Sequence, residues 1–272
     1  MQNDTLLEIA SFQTQEIWKG GYFEGDPLHP LEVSTYYDLG FISVLHATYL
    51  RCIKPYVNNN SVCLEIGPGR GAWTKALLPA REVHVLDVMS AEYNGFYEHV
   101  GRPQHVTYHQ VHNFNCEMLP DQHFTYMFSF GCLCHVSFAG ISDYATNLFS
   151  KFLPGSNCFW MIADYDKYNA AMRSYASLSV VRPALCLSRR YPPTIRRIGL
   201  ARVWRKLLHL CIQPRKAPPY QELGGKNERM PGRWYHAGVN ETCNMLKSVG
   251  YRIIDPDVGT ILRDPIIHFV RP

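Results

Sequence analysis

The sequence predicts an α/β protein. Its expected core is a mostly parallel seven-stranded sheet with helices on both faces, preceded by an N-terminal helical arm and carrying a basic insertion before the last helix. Three observations predict this. Short apolar runs alternate with helix-period segments at βαβ spacing from residue 61 to 163. The first run leads directly into a turn with glycines at 67, 69 and 71. The alternation stops over about 170–230 and then resumes with one helix and two strands. With 272 residues, 46% of them apolar, the chain is long enough for a sizeable core. Residues 1–57 read as an arm and helix. Residues 58–272 read as one domain that contains the insertion.

The elements follow in order. Residues 1–30 are interrupted by Gly20, Gly21, Gly25, Pro27 and Pro30, which suits an irregular arm. Over 34–57, Leu39, Ile42, Leu45, His46 and Tyr49 recur at helical spacing, with Pro55 near the end. Strands are expected at 61–66, 82–86 (ending at Asp87), 104–111, 124–130 and 157–163. Helices are expected at 72–78, 91–99 and 141–152, the last closed by a Pro154–Gly155 turn. A helix at 168–178 leads into the insertion. After it, a helix at 235–249 and strands at 251–254 and 265–270 complete the sheet. Alternation of this kind argues for a parallel sheet covered on both faces.

Composition narrows the function classes. The start of the chain has no basic region followed by a long apolar run, so no secretory leader is expected, and the longest uncharged stretch, 122–142, is broken by polar residues and glycines, so no membrane span is expected either. The nine cysteines are odd in number and scattered, and the Cys132–Cys134 pair lacks the second pair a zinc site needs. Reduced thiols in a cytoplasmic protein are the expectation. The net charge of +4 conceals an asymmetry. Residues 167–221 hold twelve Lys or Arg and no acid, which leaves 15 basic against 23 acidic residues elsewhere. A nucleic-acid binder is not expected, because there is no zinc finger, KH loop or RNA-binding aromatic motif.

The chemistry concentrates at LEIGPGRGAW. A buried strand delivers Glu65 at its carboxyl end, and the glycines allow a tight turn and close approach of a ligand to the backbone. The next helix starts there, where its N-terminus favours a carboxylate. Asp87 ends the second strand, where a carboxylate can accept from both hydroxyls of a ribose; a turn or cap aspartate is the structural alternative. The loop reads E-x-G-x-G-x-G and not the G-x-G-x-x-G of dinucleotide folds.

With Glu65, Gly67, Gly69, Gly71 and Asp87, the chain resembles the class I S-adenosylmethionine (SAM)-dependent methyltransferases. The resemblance implies their Rossmann-like fold and SAM as cofactor. It places Glu65 and the glycine backbone near the amino-acid end of SAM and Asp87 on its ribose. Asn115, in HNFNCEMLP, falls where such proteins meet the adenine amino group, with Phe114 flanking the ring.

For the acceptor, the carboxyl ends of the fourth and fifth strands remain. His135 is the leading general base, since histidine ordinarily titrates near neutrality. Asp164 is a candidate to orient an acceptor hydroxyl or that histidine, or to ligate a divalent cation such as Mg2+. His236, beside Trp234 and Tyr235 in GRWYHAG, suits a sugar face; a packed or capping histidine is the alternative. Asp255, Asp257 and Asp264 lie in a turn-rich segment.

FSFGCLCHVS, IADYDKYN and the closing GRWYHAGVNETCNMLKSVGYRIIDPDVGTILRDPIIHF resemble bacterial sugar O-methyltransferases. That implies transfer of a methyl group to a hydroxyl of a sugar or glycan. The uncharged FTYMFSF lacks the acid of the compact metal-dependent catechol-like group. The alternatives are a methyltransferase for a lipid, polyketide or nitrogen acceptor, a nucleotide-dependent oxidoreductase, and a degenerate fold serving as an interaction module. The basic segment 182–216 reads as a lid over an anionic small molecule or oligosaccharide, as a weak peripheral membrane contact through 198–212, or as a solvated face.

Overall fold

In the computed structural model of the protein, the described residues are 25–29, 43–178, 223, 235–261 and 264–272. The chain divides into two compact units, residues 1–165 with 225–272 and residues 166–224. The first unit holds a seven-stranded sheet: β1 (Val62–Ile66), β2 (Glu82–Asp87), β3 (Val106–Gln110), β4 (Phe124–Ser129), β5 (Phe152–Met161), β6 (Arg252–Asp255) and β7 (Ile266–Val270). Their order is β3-β2-β1-β4-β5-β7-β6. All pairs from β3 to β5 are parallel, and β7 runs antiparallel to both β5 and β6. The chain winds outward from β1 through β2 to β3, then returns to β4 on the other side of β1. The crevice at this reversal, outside the carboxyl ends of β1 and β4, is where ligands bind in open sheets of this kind.

Helices α1 (Val44–Thr48, continuing as a wide turn Tyr49–Ile53), α2 (Ala72–Leu77) and α3 (Phe96–Val100) cover one face. Cys52, Ile53, Trp73, Leu77, Phe96 and Val100 pack there on Val83, Val85, Tyr126 and Phe128. Helices α4 (Phe138–Phe149) and α6 (Val239–Val249) cover the other. Ile141, Leu148 and Leu246 pack there on Leu64, Leu86, Met127 and Trp160. Adjacent residues of β1, Cys63 and Leu64, belong to opposite layers, as strand alternation requires. After β5 the chain enters α5 (Tyr165–Leu178). In the second unit, Asn169 exchanges two hydrogen bonds with the backbone of Leu223, at 2.8 and 3.0 Å.

Four sequence expectations are corrected. Residues 141–152 are not all helix. α4 starts earlier, at Phe138, and β5 begins at Phe152, running through Pro154 and Gly155. The proline is tolerated because the β4–β5 register shifts there. Phe124 pairs with Phe152, but Tyr126 pairs with Asn157. Ser156 closes the irregularity by donating to Phe124 and Leu153 carbonyls at 2.8 and 2.6 Å. Residues 91–95 are turn, not helix, because Ser90 accepts from Tyr93 N–H and α3 starts only after Gly95, at φ +59°. Residues 235–238 are not helical, since the Ala237 and Gly238 N–H groups both donate to the Ala163 carbonyl before α6 begins. Of the helix expected over 34–57, 44–53 is helical, in two short pieces. Residues 34–42, most of the arm, Trp234 and the basic segment 182–216 lie outside the described residues.

Candidate active site

Each glycine of the loop after β1 has a positive φ: +72° at Gly67, +52° at Gly69 and +94° at Gly71. At Gly67 a second constraint applies, because an added Cβ would overlap the Cys132 side chain from the loop after β4. The loop therefore hugs the reversal of strand order, with the Gly67 N–H donating to the Leu86 carbonyl at 2.8 Å. The Gly69 N–H donates to Asp87 Oδ2 at 3.2 Å, and Met89 N–H donates to Asp87 Oδ1 at 2.9 Å. This joins the glycine loop to the carboxylate at the end of β2. Asp87 is half-buried. Burial pushes its carboxyl up to about 6, against the backbone donors from Met89 and Gly69, which pull it down. The Asn94 side chain and the Val88 backbone add further hydrogen bonds to it.

Glu65 lies under this loop and is buried. Its Oε2 accepts from the Thr74 hydroxyl of α2 at 2.5 Å. Desolvation raises its carboxyl to about 8, partly offset by that hydrogen bond and reinforced by the charge on Asp87. A buried acid is tolerable here because near neutrality it can stay protonated. Thr74, not legible as a site residue beforehand, is spaced so that one helical turn of α2 brings its hydroxyl back over the strand end.

Asn115 and Phe114 sit beyond β3. Asn115 Oδ1 accepts from the Glu117 N–H at 3.4 Å. The Phe114 ring meets Tyr144 edge-on at 4.9 Å, and its carbonyl accepts from Asn147 at 2.8 Å.

At the other strand ends, β4 leads into Gly131 (φ +70°) and a tight turn, Leu133–His135, before Ser137 caps α4. The Cys134 carbonyl accepts from the Tyr235 N–H at 2.9 Å. The Tyr165 N–H donates to His236 Nδ1 at 3.0 Å, and the two rings lie 4.9 Å apart. Because Nδ1 accepts, the ring proton of neutral His236 resides on Nε2. Asp164 is buried, and its Oδ2 accepts from the Val239 N–H at the start of α6, at 2.8 Å. Helix α6 has no side-chain cap from Gly238, so Asp164 supplies one from the segment that follows β5. The segments carrying His135, Asp164 and His236 are thus stitched together by backbone bonds at the carboxyl ends of β4 and β5.

Among the described residues, no cluster of three potential metal ligands includes Asp164. Asp255 and Asp257 serve turns. Asp255 accepts from Asp257 N–H at 3.0 Å, and Asp257 accepts from Gly259 and Ile266 N–H groups at 3.0 and 3.3 Å.

No family model matches the chain, and no curated protein matches it in sequence. Solved structures do share its architecture. A SAM-dependent methyltransferase from Mesorhizobium loti is similar at 16% identity and a TM-score of 0.51, covering 84% of this chain and 98% of its own. The N-methyltransferase NodS from Bradyrhizobium japonicum, in complex with S-adenosyl-L-homocysteine, is similar at 14% identity and a TM-score of 0.50, covering 96% of this chain and 98% of its own. At these identities the likeness is one of fold. Among the described residues, no helix is long and apolar enough to cross a membrane.

Proposed function

We propose that the chain is a SAM-dependent O-methyltransferase acting on a hydroxyl of a sugar or glycan. The observation that carries the cofactor reading is the Gly69–Asp87 bond, which couples a left-handed glycine loop to a strand-end carboxylate at the reversal of the sheet. An acceptor-only carboxylate, fixed at the strand end by backbone donors, fits a vicinal diol. Three glycines with positive φ leave the loop backbone without side chains to keep a ligand away.

In this reading Asp87 binds the ribose hydroxyls, and Gly67, Gly69 and Gly71 line the amino-acid end of SAM. Glu65 backs the loop, and Asn115 and Phe114 meet the adenine. SAM, when bound, supplies a methyl group on a sulfonium. The chain's own residues do the rest. His135 takes the proton of the acceptor hydroxyl. His236, with Nδ1 occupied by Tyr165 N–H, offers Nε2–H to an acceptor oxygen. Asp164 is a positioning residue, holding α6 and the His236 segment against the end of β5. A Mg2+ ion is not needed for these steps.

Calorimetric titration of the protein with S-adenosyl-L-homocysteine (SAH) and with NAD tests the cofactor reading. Saturable SAH binding is expected, and tight NAD binding without SAH binding would overturn it. Methyl transfer from labelled SAM to a panel of sugars, lipids and amines tests the acceptor. Sugar methylation at an unchanged rate by His135→Ala would remove the base assignment.

A further inference from the structure

A second cluster of titratable side chains lies at the opposite end of the sheet. Glu82 opens β2 and His84 follows two residues later on the same face of the strand. His123 immediately precedes β4. Glu82 Oε1 lies 2.6 Å from His84 Nε2, and Glu82 Oε2 lies 3.1 Å from His123 Nε2. Both Nε2 atoms lie within hydrogen-bond reach of the carboxylate, each placed to donate to it. The remaining ring nitrogen of His84, Nδ1, sits 2.9 Å from His109 Nε2, and these two rings stack at 5.1 Å.

We infer that Glu82, His84 and His123 form a binding site for a divalent transition-metal ion of the zinc class, with His109 orienting His84. Two imidazole nitrogens and one carboxylate are a ligand set zinc accepts, and a water completes the tetrahedron. One ligand atom from each residue lies within 4.8 Å of the other two. A bound ion would draw these separations toward roughly 3.4 Å, the tetrahedral edge set by Zn–N and Zn–O bonds of about 2.0–2.1 Å.

The protons balance without a net release from neutral rings. On His84 and His123 the proton moves from Nε2 to Nδ1, freeing both Nε2 lone pairs for the metal. The His84–His109 hydrogen bond then reverses, with His84 Nδ1–H donating to His109 Nε2 and the His109 proton moving to its own Nδ1. That places an outer partner on the non-ligating nitrogen of a metal-bound histidine, as such sites require.

Access is open, because the side chains of Glu82 and His123 are 33% and 29% exposed. The site is separate from the proposed cofactor site. Glu82 and Asp87 are the two ends of β2, about 17 Å apart at strand rise. An ion here would tie β2 to the chain entering β4 across the start of β1.

The test is calorimetric titration of the full-length, chelator-treated protein with zinc, alongside Glu82→Gln and His123→Ala. Circular dichroism verifies that each variant is folded. One zinc per chain is expected, with affinity weakened about tenfold or more in each variant. Cobalt(II) bound at the same site is expected to show the d–d bands of tetrahedral nitrogen and oxygen ligation without a thiolate charge-transfer band. Absence of saturable zinc binding, unchanged affinity in either folded variant, or a thiolate band that titrates with the bound metal would overturn the assignment.

Discussion

At the scale of single residues, the candidate site is governed by two carboxyls with different surroundings. Asp87 has backbone donors on both oxygens and is half-buried, so its carboxyl is raised only to about 6. If it binds a ribose diol, it must be ionised to accept from both hydroxyls. In the free protein it gains a proton below about pH 6, and that proton must leave on binding. SAH affinity should therefore be level above pH 7 and fall as pH drops through 6, approaching tenfold per pH unit. Asp87→Asn should lose affinity by roughly 10–100-fold, the worth of hydrogen bonds to a charged group, and should flatten that acidic limb. Isothermal titration at several pH values measures both. A variant whose affinity keeps the acid dependence of the parent would assign that dependence to another group.

At the scale of elements, the glycine loop is held by the turn after β4. Gly67→Ala meets two obstacles, a φ of +72° and the Cys132 side chain. A cost of about 1–3 kcal/mol is expected, read as a lower urea midpoint, with SAH binding weakened as the loop is displaced. Gly67→Ala combined with Cys132→Gly removes the overlap but leaves the φ strain, so it should recover only part of the stability. Full recovery would mean that the steric contact alone restrains the loop. The same logic explains why element boundaries differ from the sequence pattern. Pro154 and Gly155 read as a turn closing a helix, yet an irregular β4–β5 register accommodates both in β5. Residues 235–238 read as the start of a helix, yet the Ala163 carbonyl takes the Ala237 and Gly238 N–H groups and the Cys134 carbonyl takes that of Tyr235.

At the scale of the whole molecule, Glu65 couples the site to stability. Its folded carboxyl is raised to about 8, whereas an unfolded glutamate titrates near 4.3. Between those values the folded state holds one proton that the unfolded state does not. The group's contribution to stability is thus full below about pH 4.3 and is lost as pH rises toward 8. Glu65→Gln, which can still accept from Thr74, removes this term. The stability of the variant relative to the parent should rise from pH 5 to 8 in urea unfolding of the ligand-free protein. Parallel curves would show that Glu65 is already ionised in the folded state.

The layered α/β architecture and the positions of the glycine loop and Asp87 follow from local sequence pattern. Strand alternation, glycine placement and a strand-ending acid are local patterns, and local sterics and burial impose them wherever they occur. The sequence also singled out His135, Asp164 and His236 as candidates, but not what each would touch. That Asp164 caps a helix begun 75 residues later, that His236 accepts the Tyr165 N–H, and that Thr74 donates to Glu65 are products of long-range packing. The Glu82–His84–His123 cluster was equally hidden, because its members come from β2 and from the approach to β4, 39 residues beyond His84. Such contacts depend on strand order and register, and the order β2-β1-β4 is set by how the whole sheet closes its two cores.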